Sequence, residues 1–277
     1  LLLATGCVAF NPFYHAQKTF GQAEKARQRE MAEAALKEVE GTASLSAPTR
    51  QLYESVARKA SRVLEQYPES DRVDDALFML GRSFYWQQDY LSAVRSFSEL
   101  EAGFPRSEYL GRARYWRALS LEAQGQYDDA RPVYTDLVAA RDKSLGPASG
   151  LRLGEMSFAQ QDYVVAAQEF RATLAAFPRS AEAAELWVRL GEALLALDDS
   201  TRFGEAQDAF AQALGVNPRT EIEYRARLSV GLLLQASGRS REAQGQYNDL
   251  LDQGRFRAYE GRTRILIGRY CRSQGDP

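Results

Sequence analysis

The side chains able to do acid–base or nucleophilic chemistry are few in this chain, and their spacing does not bring them together. His15 is the only histidine and lies near the N-terminus, so a Ser–His–Asp or Cys–His site would depend on that one imidazole. The two cysteines, Cys7 and Cys271, stand near opposite ends. Neither zinc-ligand spacing nor a glycine-rich phosphate loop occurs. The adjacent carboxylates Asp128-Asp129 and Asp198-Asp199 fall where apolar periodicity breaks, which suits an Asp accepting backbone N–H bonds at a helix start. These residues point to a chain with no catalytic role, no cofactor, no metal and no small-molecule substrate. In their place stand arginines and aromatics, the residues that most often anchor a protein interface.

Those residues recur because the chain repeats. A small residue followed four positions later by an aromatic appears at Ala93/Phe97, Ala130/Tyr134, Ala166/Phe170, Ala206/Phe210 and Ala243/Tyr247. The alanines are 37, 36, 40 and 37 residues apart, a period that marks a repeat architecture. The first full unit, 74–107, carries Leu77, Leu80, Gly81 and Phe84, then Tyr90, Ala93 and Phe97, and closes at Pro105. The three-to-four spacing predicts two amphipathic helices with a tight turn at Gln87–Asp89. Gly81 and Ala93 are small so that the helices can approach, and Pro105 stops the second helix.

The other copies vary this pattern. The second has Arg114, Arg117 and Ala118 where the first has Leu, Leu and Gly, and its Pro132 requires a helix starting near Asp129. The third keeps Leu153, Gly154, Tyr163, Ala166, Phe170 and Pro178. The fourth keeps Trp187, Leu190, Gly191, Ala206, Phe210 and Pro218, with three extra residues at Asp198–Thr201 that lengthen its turn. The fifth offers Gly231, Leu234, Ala243 and Tyr247. Leu52–Pro68 reads as the second helix of an earlier unit, and Gly268–Cys271 as the first helix of a later, truncated one. Cys271 occupies the register of Phe84, as a small core residue.

This pattern resembles the tetratricopeptide repeat (TPR), whose signature falls on Leu77, Leu80, Gly81, Phe84, Ala93, Phe97 and Pro105. The resemblance implies an all-α TPR solenoid of antiparallel helix pairs, about five complete repeats with partial ones at both ends, over 50–277. In such arrays the first helices line a concave groove that takes a peptide or a helix. Register then selects Phe78, Arg82, Tyr85 and Trp86 in the first unit, and Arg112, Tyr115 and Leu119 in the second. Leu151, Glu155, Phe158, Val188 and Glu192 follow, then Arg225, Leu228 and Leu232. The front is aromatic and basic, the middle acidic. Tyr85 and Trp86 would equally serve by packing on the adjacent helix or on the N-terminal segment.

The chain opens Leu1-Leu2-Leu3-Ala4-Thr5-Gly6-Cys7. An apolar run, small residues and then Cys resembles the end of a bacterial lipoprotein signal peptide. That implies residues 1–6 as a signal remnant and acylation of Cys7, hence anchorage at a bilayer. Residues 7–49 then hold the lipidated Cys, an N-terminal helix from Phe13 to about Glu40, and a loop over Gly41–Thr49. Asn11–Ala16 with Phe20 and Ala23–Lys25 is similar to the first helix of bacterial TPR lipoproteins.

Composition agrees. Apolar residues make up 45% and charged residues 26%, with net charge −2. There is no basic excess to neutralise nucleic-acid phosphates and no run of 18 apolar residues to span a membrane.

The Tyr67-Pro68, Phe104-Pro105 and Phe177-Pro178 endings resemble those of two envelope families. One is the BamD-like TPR lipoprotein of outer-membrane β-barrel assembly, and the other is the Tol-associated periplasmic TPR protein. The expectation is a scaffold at the outer membrane facing the periplasm that binds envelope proteins. A soluble cytoplasmic adaptor and a TPR appendage of a longer enzyme are the alternatives.

Overall fold

The computed structural model describes residues 12–36 and 45–273. Cys7 and the apolar run before it lie outside those residues. Thirteen α-helices and no strands are found among the described residues. They are α1 (Pro12–Leu36), α2 (Ala47–Gln66), α3 (Val73–Trp86), α4 (Tyr90–Gly103), α5 (Leu110–Ala123), α6 (Tyr127–Ala139), α7 (Gly146–Ala159), α8 (Tyr163–Ala176), α9 (Ala183–Ala196), α10 (Phe203–Gly215), α11 (Thr220–Ala236), α12 (Ser240–Asp252) and α13 (Glu260–Ser273). Two compact units divide between Tyr134 and Thr135.

Helix pairing follows from the small-and-aromatic echo. Phe97 on α4 is fully buried against α3, and a methyl group added at Gly81 would come within 2.6 Å of its ring. Gly154 faces Phe170, Gly191 faces Phe210 and Gly231 faces Tyr247 in the same way. The glycine on each first helix is therefore the socket for the aromatic on the second, and any side chain there would overpack the pair. In the α5–α6 pair Ala118 takes this register, and Tyr134 is again fully buried.

The turns repeat as closely as the cores. Left-handed backbone marks the turn inside each of the five pairs from α3–α4 to α11–α12, at Gln88 (φ 64°), Gly125 (φ 76°), Gln161 (φ 62°), Asp198 (φ 52°) and Gly238 (φ 73°), and recurs between pairs at Arg141 (φ 52°) and Asn217 (φ 53°). Asp89 and Asp162 follow the two glutamines and accept from the backbone N–H groups of Ser92 and Val165, each at 3.1 Å, capping α4 and α8. Ser200–Arg202 forms a 3-10 turn in the inserted segment before α10, capped by Asp199. Asp128 and Asp129 are not caps. They lie in the first turn of α6, which opens at Tyr127 and so places Pro132 inside the helix.

The N-terminal helix packs on the array. α1 runs antiparallel to α2: Glu30 accepts from Thr49 Oγ1 at 2.6 Å, Glu24 from Tyr53 at 2.7 Å, and Thr19 from Lys59 at 2.7 Å. α1 also touches α3. It is thus the first helix of a pair whose second helix is α2. Phe13 and Ala16 share a core with Val56, Ala60, Val63 and Met79.

Candidate protein-binding face

In the first unit the leading helices α1, α3 and α5 bring two arginines and a carboxylate into a stack of aromatic rings. Arg82 Nη2 donates to both oxygens of Glu24 at 2.8 Å, and its guanidinium carbon lies 3.8 Å from the centroid of Trp116. Arg27 also donates to Glu24, at 3.0 Å, and lies 4.6 Å over Trp86. Trp86 and Trp116 meet edge-on at 5.9 Å, and Tyr85 packs edge-on against both, at 5.1 and 5.0 Å. Cation–π stacking of this kind strengthens as water is excluded. The Arg82 side chain is only 11% exposed. Burial pulls its guanidinium pKa down, and the Glu24 charge works against that. Burial pushes the Tyr53 phenol up, and Glu24, which accepts its hydrogen bond, adds to the effect.

One turn earlier on α5, Arg112 is exposed. It lies 4.5 Å over Tyr109 and 5.2 Å from Phe78. Tyr109 donates to Asp75 at 2.7 Å, and its phenol is pushed up to about 12, first by burial and then by that bond.

In the second unit the equivalent face is laced with ion pairs one repeat apart. Arg189 on α9 donates to Glu155 on α7 at 2.9 Å. Arg225 on α11 bonds Glu185 at 2.5 Å and Glu192 at 3.0 Å. Burial opposes the Arg225 charge, but Glu192 and Glu185 outweigh it and hold its pKa above the ordinary arginine value. A cleft of about 830 Å³ opens beside these pairs, lined by Leu151, Pro178, Ala184, Val216, Ile222 and Arg225 among others.

The register-selected residues thus divide. Tyr85, Trp86, Tyr115, Leu119, Phe158, Leu151 and Leu232 are half-buried, and Arg112 is exposed. Phe78 is buried beneath Tyr109 and Arg112. Val188 packs with Ala213 and Ala226, and Leu228 with Tyr224 and Tyr247; both are core residues with no groove exposure. Arg82, Glu155, Glu192 and Arg225 are half-buried and already paired within the chain. The acidic middle is therefore neutralised by Arg152, Arg189 and Arg225. Sequence reasoning missed Glu24, Arg27, Trp116, Glu185 and Arg189. A spacing of 33 or 34 residues joins Arg82 to Trp116, Glu155 to Arg189 and Glu192 to Arg225, and that spacing was the available clue.

Among the described residues, no cluster of three or more His, Cys, Asp or Glu is placed to hold a metal. No helix among them is long and apolar enough to cross a membrane.

The tetratricopeptide repeat family model matches residues 78–144 and 115–181. No curated protein matches the sequence. The apo form of RapI is similar in structure, with TM-score 0.60 and 14% identity over 94% of this chain and 92% of that one. Yeast Tom70 is similar with TM-score 0.59 and 13% identity over 83% of this chain, which spans only 44% of the Tom70 chain. The chain is an all-α solenoid of antiparallel helix pairs of the tetratricopeptide-repeat type.

Proposed function

We propose that this protein is a non-catalytic TPR scaffold of the bacterial cell envelope, anchored by an acylated Cys7 and holding partner proteins on its leading-helix face, in outer-membrane protein assembly. The single observation that supports binding is the arginine–aromatic face of α1, α3 and α5. It presents Tyr85, Trp86 and Trp116 half-buried beside Arg27, Arg82 and Arg112, the composition of an interface anchor. The anchor and the compartment rest on the lipoprotein-like run Leu1–Cys7.

Full-length protein expressed in a bacterium with a clickable fatty acid tests the anchor. Label and membrane association are expected in wild type and lost in Cys7→Ser. Unlabelled wild type in the soluble fraction would overturn the envelope reading and leave a soluble adaptor. A photo-crosslinker at Tyr115 is expected to capture a protein, and the same group at exposed Val164 serves as the off-face control.

A further inference from the structure

The two leading-helix faces differ in their charge balance. On the second unit, Glu155, Glu185 and Glu192 are matched by Arg152, Arg189 and Arg225. On the first, Arg27, Arg82 and Arg112 share the single carboxylate of Glu24, which reaches only the first two. Asp75, a further carboxylate along the stack, is engaged by Arg72 and by Tyr109. Glu108 also acts on Tyr109 beneath Arg112, so the three arginines exceed Glu24 and Glu108 by one positive charge, within a chain whose net charge is −2.

Hydrogen-bond capacity is unbalanced in the same direction. Arg82 uses Nη2 alone for Glu24. Its Nε, the Nε of Arg27 and the indole Nε1 of Trp86 are buried donors with no acceptor among the described residues. Leaving buried donors unmatched is unfavourable, so a site with three of them favours a ligand that brings acceptors. The rings of Trp86 and Trp116 lie against the guanidinium groups of Arg27 and Arg82, which restricts both arginines before a further carboxylate arrives. The stack runs continuously from Arg27 over Trp86 and Trp116 to Arg82, then by Phe78 to Arg112.

We propose that the α1–α3–α5 face binds an acidic peptide segment of a partner protein. Arg112 makes first contact with its carboxylates, and the Arg27–Arg82–Trp86 cluster receives one. This rests on the reading of the face as protein-binding and names the chemistry it selects.

The test uses the full chain and a rhodamine-labelled, amidated hexaglutamate peptide followed by fluorescence anisotropy. Hexaglutamine is the neutral control. Saturable binding to hexaglutamate is expected, with hexaglutamine at least tenfold weaker. Arg112→Gln should weaken binding about tenfold, the loss of one charge-assisted contact, and Arg112→Lys should recover part of it. Arg179→Gln, in the cleft of the second unit, should leave binding unchanged. No saturable binding, equal affinity for hexaglutamine, or equal weakening by Arg112→Gln and Arg179→Gln would each overturn the proposal. A protein captured at Tyr115 while hexaglutamate fails to bind would sink this inference and leave the scaffold reading standing. Hexaglutamate binding that depends on Arg112, with no protein captured, would do the reverse.

Discussion

Glu24 and Arg82 lie 58 positions apart in sequence and form a two-oxygen hydrogen-bonded contact at 2.8 Å. The pair ties the N-terminal helix to the third across the leading-helix face, and Tyr53 and Arg27 complete its bonding. A charge pair this enclosed adds little against an apolar alternative, yet breaking it from one side is costly. Glu24→Ala leaves Arg82 buried without its counter-charge and Tyr53 without its acceptor. The expected destabilisation is about 3–5 kcal/mol. Urea unfolding followed by tryptophan emission measures it, since Trp86 and Trp116 sit in the affected cluster. The double variant Glu24→Ala/Arg82→Met should recover part of the loss, and strict additivity would show that the two side chains do not act as a pair.

Arg225 provides the contrast. It also bonds two glutamates across a repeat, but Arg189 lies within 3.3 Å of both Glu185 and Glu192. Removing Arg225 therefore leaves neither carboxylate alone. Arg225→Ala should cost about 1–2 kcal/mol, the scale of a charged hydrogen bond lost from a shared network. A loss as large as that of Glu24→Ala would show that Arg189 does not compensate.

How much of this was legible in the sequence depended on whether a residue acts within its repeat or between repeats. Gly81, Ala93 and Phe97 meet inside one helix pair, so their spacing alone announced the pairing. The Glu24–Arg82 and Glu155–Arg189 contacts join neighbouring repeats through long side chains; the 34-residue step from Glu155 to Arg189 hints at the second, but nothing within one repeat distinguishes either from solvated charges. α1 escaped the repeat pattern because Ala16, Ala23 and Phe13 bury its face without the Leu-Leu-Gly signature. The left-handed turn position was readable at Gly125 and Gly238. It was hidden at Gln88 and Gln161, where the surrounding pair imposes a backbone conformation that glutamine does not favour.

That imposed conformation makes a stabilising substitution available. A non-glycine residue in the left-handed region costs about 1–2 kcal/mol, while glycine gives back part of that gain through its freer unfolded chain. Gln161→Gly should therefore raise stability by a net ~0.5–1 kcal/mol. The same change at Gln160, whose φ is −79°, should lower it. Urea midpoints of the two variants decide the matter, and a destabilised Gln161→Gly would mean that its side chain contributes more than its backbone strain.

The contact between α1 and the start of α2 should be sensitive to acid. Burial would raise the Glu30 pKa, but hydrogen bonds from Ser46 and Thr49 outweigh it and hold the carboxylate below its ordinary value of 4.5. A folded-state pKa below the unfolded one contributes stability that is fully present above about pH 4.5 and is lost as the pH falls through the folded value. Glu30→Gln should thus be less stable than wild type at pH 7, with the gap narrowing on acidification below about pH 5. Thermal melts of the two proteins from pH 7 to pH 3 measure the gap directly. A difference that stayed constant across the range would place the carboxylate's contribution in its shape and not in its charge.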